Sequence, residues 1–302
     1  MGTWNELSTE LSQAIQAVGK NIVTVQAGGG RTSSGIILDD HTILTAANAI
    51  SERESIRGWI SPDQPFMASL VGRDFGTDIA LLKSDAKLSG AASFAENPQL
   101  AVGQLVVAIA RTWRGNLVAS AGILSGLMGE WHTHRGKKID AFIRPDLNVY
   151  RGFSGGAIID ADQKIIGMTT GALRRRSPLA VPYATITQVT SVLLEKGYIP
   201  SPYLGLGLQP VRVPESLQQK LNLTQHTGVL VVHVEPASPT DKAGIFLGDV
   251  LLKIADRRFG EEGTTSILSA LTPGQTASLE GIRGGQQFNS SIQVGERPQR
   301  QA

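Results

Sequence analysis

Beyond Asn21 the chain runs as a series of short β-rich segments, each cut off by Gly, Asp, Asn or Pro, and this punctuation dictates its class. The first set comprises Ile22–Val25, Ser34–Leu38, Ile43–Thr45, Ala68–Val71 and Ile79–Lys83. A second set comprises Leu105–Ala110, Leu117–Leu124, Ala141–Ile143, Gly156–Ile159, Lys164–Thr169 and Ala180–Pro182. Helical periodicity is confined to two places here. Leu7, Leu11, Ile15 and Val18 predict an amphipathic helix over residues 5–19, and a second helix is expected near Ile186–Lys196. Two groups of about six strands predict a mostly β fold of two antiparallel six-stranded barrels closed by a helix.

A chain of 302 residues can bury two cores of ordinary size. The segment Gly197–Pro202 reads Gly-Tyr-Ile-Pro-Ser-Pro, a connector that divides a domain at 1–200 from one at 201–297. The second part predicts an α+β unit, with strands at Thr227–Val234, Asp249–Ile254, Ala277–Ile282 and Ser290–Val294 and a helix near Thr264–Leu271. With no cysteine, disulfides and thiolate metal sites are ruled out. A net charge of +2 offers no electrostatic case for nucleic acid. The basic runs Arg174–Arg176 and Arg135–Lys138 read as solvated loop tips. No stretch is long and apolar enough to cross a membrane, and Met1–Lys20 lacks an apolar leader. The chain as given is therefore expected in the cytoplasm, or exported if a segment upstream has been removed.

Chemistry concentrates in Gly152-Phe153-Ser154-Gly155-Gly156-Ala157. Such a turn exposes a hydroxyl while its glycines let backbone N–H groups converge on one point, as binding an oxyanion requires. Upstream stand Leu44-Thr45-Ala46-Ala47-Asn48-Ala49-Ile50 and Gly76-Thr77-Asp78-Ile79-Ala80-Leu81-Leu82. In sequence and order the three segments resemble those of chymotrypsin-like serine proteases. Asp146–Gly156, Lys164–Met168 and Leu179–Pro182 sharpen the resemblance to the HtrA group, which carries PDZ domains. Tyr203-Leu204-Gly205-Leu206 resembles that group's carboxylate-binding loop, and Ala243–Leu252 resembles its Ala-Gly-Leu-x-x-Gly-Asp-x-Ile segment.

The resemblance implies a trypsin-like fold followed by one PDZ domain, with no cofactor and no metal. It implies Ser154 as nucleophile, Asp78 as the group orienting the base, and the N–H groups of Gly152 and Ser154 as the oxyanion hole. Val149, Met168 and Thr169 would line a pocket for small or medium apolar side chains. Tyr203, Leu204, Gly205 and Leu206 would bind a peptide C-terminus, with Leu206, Leu208 and Leu268 as its apolar pocket. Trp4 would serve a homotrimer contact. The position of the triad histidine, however, holds Asn48, whose amide cannot take up a proton near neutral pH. The expectation is thus an inactive or impaired protease that still binds protein C-termini. The competing readings are an active endopeptidase, with Asn48 introduced artificially or replaced in function by another histidine, and a holdase chaperone. Among the other histidines, His41 should sit at the far end of a strand, His132 and His134 in a loop, and His226 and His233 in the second domain.

Overall fold

The computed structural model describes residues 2–27, 31–50, 55–88, 90–173, 178–261 and 263–297. The Arg174–Arg176 run lies outside them. Two compact units divide the chain: residues 1–134 with 138–199, and residues 135–137 with 200–302.

The first unit opens with helix α1 (Thr3–Gly19). Strands β1 (Ile22–Ala27), β2 (Arg31–Ile37), β3 (Thr42–Ala46), β4 (Ile56–Ser61), β5 (Gln64–Asp74) and β6 (Ile79–Ser84) follow, and close into an antiparallel barrel in the order β1-β2-β3-β6-β5-β4. A second run consists of β7 (Leu105–Thr112), β8 (Asn116–Met128), the short hairpin β9 (Trp131–His132) and β10 (Lys138–Ile139), β11 (Phe142–Asp146), β12 (Ala157–Ile159), β13 (Ile165–Thr170) and β14 (Leu179–Pro182). Without the hairpin, these strands close a second barrel in the order β11-β14-β13-β12-β7-β8. Helix α2 (Tyr183–Lys196) ends this unit at Gly197, whose φ of 76° permits the left-handed cap.

Alternation along the strands explains how two barrels share one unit. Val23 and Val25 fill the first barrel with Ile37, Ile43, Ala80 and Leu82. Their neighbour Ile22 points the other way and joins Ile36, Leu44, Ile79 and Leu81 in a second cluster. Likewise Val106, Ala108 and Ala110 fill the second barrel, while Val107 and Ile109 face out and enter that same second cluster. The cluster is therefore the seam between the barrels, closed by Ala14 and Val18 of α1 and Ile186 and Leu193 of α2. Strands with two buried faces read as continuous apolar runs, which is why these segments were visible in the sequence.

The second unit contains β15 (Pro202–Tyr203), β16 (Leu206–Arg212), α3 (Glu215–Leu221), β17 (Thr227–Val234), α4 (Pro239–Lys242), β18 (Val250–Ile254), β19 (Arg257–Arg258), α5 (Thr264–Ser269), β20 (Thr276–Arg283), β21 (Gln286–Gln293) and β22 (Gly295–Glu296). Its main sheet runs β16-β17-β18-β20-β21, with β19 on β18, so β16 lies at an edge. Asp249 is buried and accepts from Phe246 N–H at 2.8 Å and from Arg283 Nε and Nη2 at 2.8 and 2.7 Å. The Arg283 guanidinium also lies over the rings of Phe246 and Phe288, at 4.4 and 4.7 Å from their centroids.

Phe259 has no exposed surface and packs with Val229, Ile267 and Ile292 at the centre of this unit. Phe259→Ala should cost about 3–5 kcal/mol. All four tryptophans lie in the first unit. The substitution should therefore lower the urea midpoint seen by far-UV circular dichroism for part of the signal, while the tryptophan-fluorescence midpoint stays in place.

Candidate active site and peptide groove

Asn48 sits on the 3-10 turn Ala47–Ala49 that follows β3, and Asp78 occupies the turn into β6. The Ala47 N–H donates to the Asp78 carbonyl at 3.1 Å and ties the two turns together. Asp78 has a φ of 61° and is 1% exposed, so its carboxylate needs donors in place of water. Asn48 supplies three contacts: its backbone N–H to Oδ1 at 2.9 Å, and its Nδ2 to Oδ1 and Oδ2 at 2.8 and 2.7 Å. Thr170, at the end of β13, donates its hydroxyl to Oδ2 at 2.5 Å. Burial pushes the Asp78 carboxyl above the ordinary aspartate range, and the hydrogen bonds from Thr170 and Asn48 pull against it.

Ser154 lies in the turn between β11 and β12, half-buried, and its Oγ makes no hydrogen bond among the described residues. The turn itself is pinned. Phe153 N–H donates to Tyr150 O at 3.1 Å, Gly155 N–H to Thr169 O at 2.8 Å, and Gly156 N–H to Phe153 O at 2.9 Å. Among the described residues the N–H groups of Gly152 and Ser154 donate to no protein acceptor. Gly152 and Gly155 have φ of 97° and 83°, and a Cβ on Gly155 would fall 2.1 Å from the Ser34 carbonyl oxygen. No side chain fits there.

The structure thus joins Asn48 and Asp78, with Thr170 as a further member that the sequence reading missed. Its signal was present in the pair Thr169-Thr170 ending the strand after the serine turn, yet only the first threonine was singled out. Phe153 turns into the core of the second barrel and meets Tyr150 edge-on, with ring centroids 6.0 Å apart. Met168 is wholly buried in the seam between barrels. Thr169 is equally buried, its Oγ1 without a partner among the described residues, and it touches the serine turn through its main chain. Val149 is half-buried against the second barrel's core.

No imidazole is hydrogen-bonded to Ser154 among the described residues. His41 Nδ1 lies 3.2 Å from the Ser84 carbonyl, at the opposite end of β3 from Asn48. His132 and His134 are exposed on or beside the β9–β10 hairpin. His226 and His233 pair with Gln218 and Glu235 in the second unit. Among the described residues no three His, Asp or Glu side chains are grouped to hold a metal ion.

In the second unit a groove is lined by Tyr203, Leu204, Gly205 and Leu206 on one side and by Thr265 and Leu268 of α5 on the other. The Leu204 carbonyl accepts from both Thr240 N–H and Thr240 Oγ1, at 3.0 and 2.6 Å, and the Gly205 carbonyl accepts from Glu235 N–H at 2.8 Å. With these carbonyls fixed on the protein side, the N–H groups of Leu204 and Gly205 have no protein acceptor among the described residues. Leu208 is half-buried against the core of this unit.

Comparison with known proteins agrees with this architecture. Residues 33–168 match the trypsin-like peptidase domain family, and residues 202–294 match the PDZ domain family. A probable periplasmic serine endoprotease, DegP-like, from Rickettsia prowazekii is 29% identical over 292 residues, covering 93% of this chain and 55% of the relative. One of the same description from Bartonella henselae is 29% identical over 280 residues, covering 88% and 53%. The chain spans about half the length of these curated relatives. The crystal structure of the serine endoprotease from Yersinia pestis superposes with a TM-score of 0.71 at 25% identity, covering 95% of this chain and 98% of that one. The HtrA-type protease AlgW with a decapeptide shares the fold at a TM-score of 0.71 and 23% identity, covering 95% and 99%. With two closed barrels, a glycine-bounded serine turn and a PDZ unit, the chain joins a trypsin-like peptidase domain to a PDZ domain and is similar to the HtrA-type serine proteases.

Proposed function

We propose that this chain is an HtrA homologue that captures polypeptide C-termini through its PDZ domain and cleaves amide bonds poorly or not at all. The carrying observation is the Asn48 amide, whose nitrogen donates to both oxygens of Asp78. In an active triad the corresponding imidazole also donates to the carboxylate, but its second nitrogen takes the serine proton and later passes it to the leaving amine. An amide oxygen at that place accepts a hydrogen bond and no proton. Ser154 would then attack as a neutral hydroxyl. A site without its base retains about 10³- to 10⁴-fold acceleration over water, which leaves peptide bonds intact on a biological timescale.

The groove chemistry supports the binding half of this reading. The open N–H groups of Leu204 and Gly205 would meet a terminal carboxylate, and the free edge of β16 would pair with the peptide as an added strand. The side chains of Leu206 and Leu268 would receive an apolar last residue. The names of the curated relatives favour a periplasmic setting.

In a casein digestion assay the unaltered chain should release no fragments, whereas Asn48→His should gain activity, since on this reading Asp78, Thr170 and the serine turn lack only the base. Rapid digestion by the unaltered chain would refute the non-cleaving reading. In fluorescence anisotropy, a peptide with a free carboxyl terminus and an apolar last residue should bind at least ~10-fold more tightly than its C-terminally amidated form. Equal binding would count against the carboxylate loop. Because burial raises the folded-state pKa of Asp78, folding disfavours its charged form relative to the unfolded chain. This contribution to stability is complete below 3.8 and is lost as pH rises through the raised value. The Asp78 carboxyl ¹³C signal should therefore titrate with a midpoint above 3.8, and a midpoint at or below it would contradict this assignment.

A further inference from the structure

We propose that Ser34, which no part of the triad pattern includes, is a positioning residue that holds the serine turn in the form able to receive an oxyanion. The inference rests on reading the N–H groups of Gly152 and Ser154 as the oxyanion donors. Ser34 belongs to β2 of the first barrel and has no exposed surface. Its hydroxyl donates to the Gly152 carbonyl at 2.7 Å and accepts from Arg111 N–H at 2.9 Å, with the Arg111 carbonyl a longer contact at 3.1 Å. Its own N–H donates to the Ser154 carbonyl at 2.9 Å. Its carbonyl accepts from Thr45 Oγ1 at 2.6 Å and is the atom that a Cβ on Gly155 would strike. Two of these groups on one residue thus grip the turn from across the inter-barrel seam.

The peptide planes of the turn show what that grip accomplishes. The Gly152–Phe153 plane is held at both ends, by Ser34 Oγ on its oxygen and Tyr150 O on its N–H. Ser34 N–H and Thr169 O hold the Ser154–Gly155 plane in the same way. The Phe153–Ser154 plane, which carries the Ser154 N–H, is fixed through Gly156 N–H on the Phe153 oxygen. The Arg151–Gly152 plane, which carries the Gly152 N–H, has no such tether among the described residues. Its direction therefore depends on the plane next to it, and the Ser34 hydroxyl is what fixes that neighbour. Glycine at 152 rotates freely, so losing the hydroxyl would release the donor without unfolding the barrel. It would also leave the Gly152 carbonyl and Arg111 N–H unpaired in a buried place.

The test uses the whole chain and an acetylated tripeptide boronic acid with an apolar terminal side chain. Ser154 Oγ adds to boron, the hydroxyl proton leaves to the buffer, and the anionic boronate oxygen occupies the oxyanion position. The same tripeptide as its amide places no anionic oxygen there. Ser34→Ala should weaken boronate binding about 10- to 100-fold, the scale of one buried hydrogen bond, and leave amide-peptide binding unchanged. Ser34→Thr, which keeps the hydroxyl, should stay within about threefold of the unaltered chain. Unchanged boronate affinity in a folded Ser34→Ala overturns the proposal. So does a loss in Ser34→Thr equal to that expected of alanine, which also decides the matter if Ser34→Ala does not fold. No boronate binding to the unaltered chain overturns it as well. Casein digestion by the unaltered chain would sink the non-cleaving reading alone, since the boronate comparison still judges Ser34.

Discussion

Burying the carboxylate of Asp78 sets the terms for everything around it. A charge taken from water must be met by donors, and the fold meets it from both barrels, with Asn48 from the first and Thr170 from the second. The donors lie where the strands of each barrel end against the shared seam, so site geometry and barrel packing are one problem. Exchanging an imidazole for an amide at 48 preserves the donation that this carboxylate requires. What disappears is the acceptor on the far side of the ring, a function the fold does not need in order to stand. On the reading proposed above, a loss of catalysis at this position would leave the structure intact.

The second unit applies the same economy to backbone groups. Thr240 takes the Leu204 carbonyl twice and Glu235 takes the Gly205 carbonyl, while the N–H groups of Leu204 and Gly205 have no protein acceptor among the described residues. A loop whose carbonyls are committed inward presents N–H dipoles alone to solvent, a ready partner for a terminal carboxylate. The adjoining edge of β16 offers both donors and acceptors, matched to an incoming strand rather than to a charge.

Much of this was legible in the chain because two-faced burial writes itself as uninterrupted apolar runs. The two barrels and β17 follow from such runs, the first helix follows from the helical spacing of its apolar residues, and Asn48, Asp78 and Ser154 stood out through their flanking motifs. Strand β4 did not: Ile-Arg-Gly-Trp-Ile-Ser mixes a charge and a glycine into six residues, and the glycine is there because the Phe66 ring occupies the space of its side chain. Strand β16 was equally silent, since Leu-Gly-Leu-Gln-Pro-Val-Arg has only half-buried and exposed positions and a proline that only an edge tolerates. Met168, named from the resemblance for a pocket, is wholly buried in the seam. Thr170 and Ser34 were missed for another reason. Their roles arise from contacts across 92 and 118 positions of sequence, which no local pattern records.

The impossibility of a side chain at Gly155 has a mechanical meaning. The serine turn grows out of one barrel yet rests main chain to main chain on the other, with no compressible side chain between them. It works as a feeler gauge set in the gap. A ligand that wedges the barrels apart would displace Ser154 before it disturbs the ladder of either barrel, so amide hydrogen exchange at the Ser34 N–H would register the widening first.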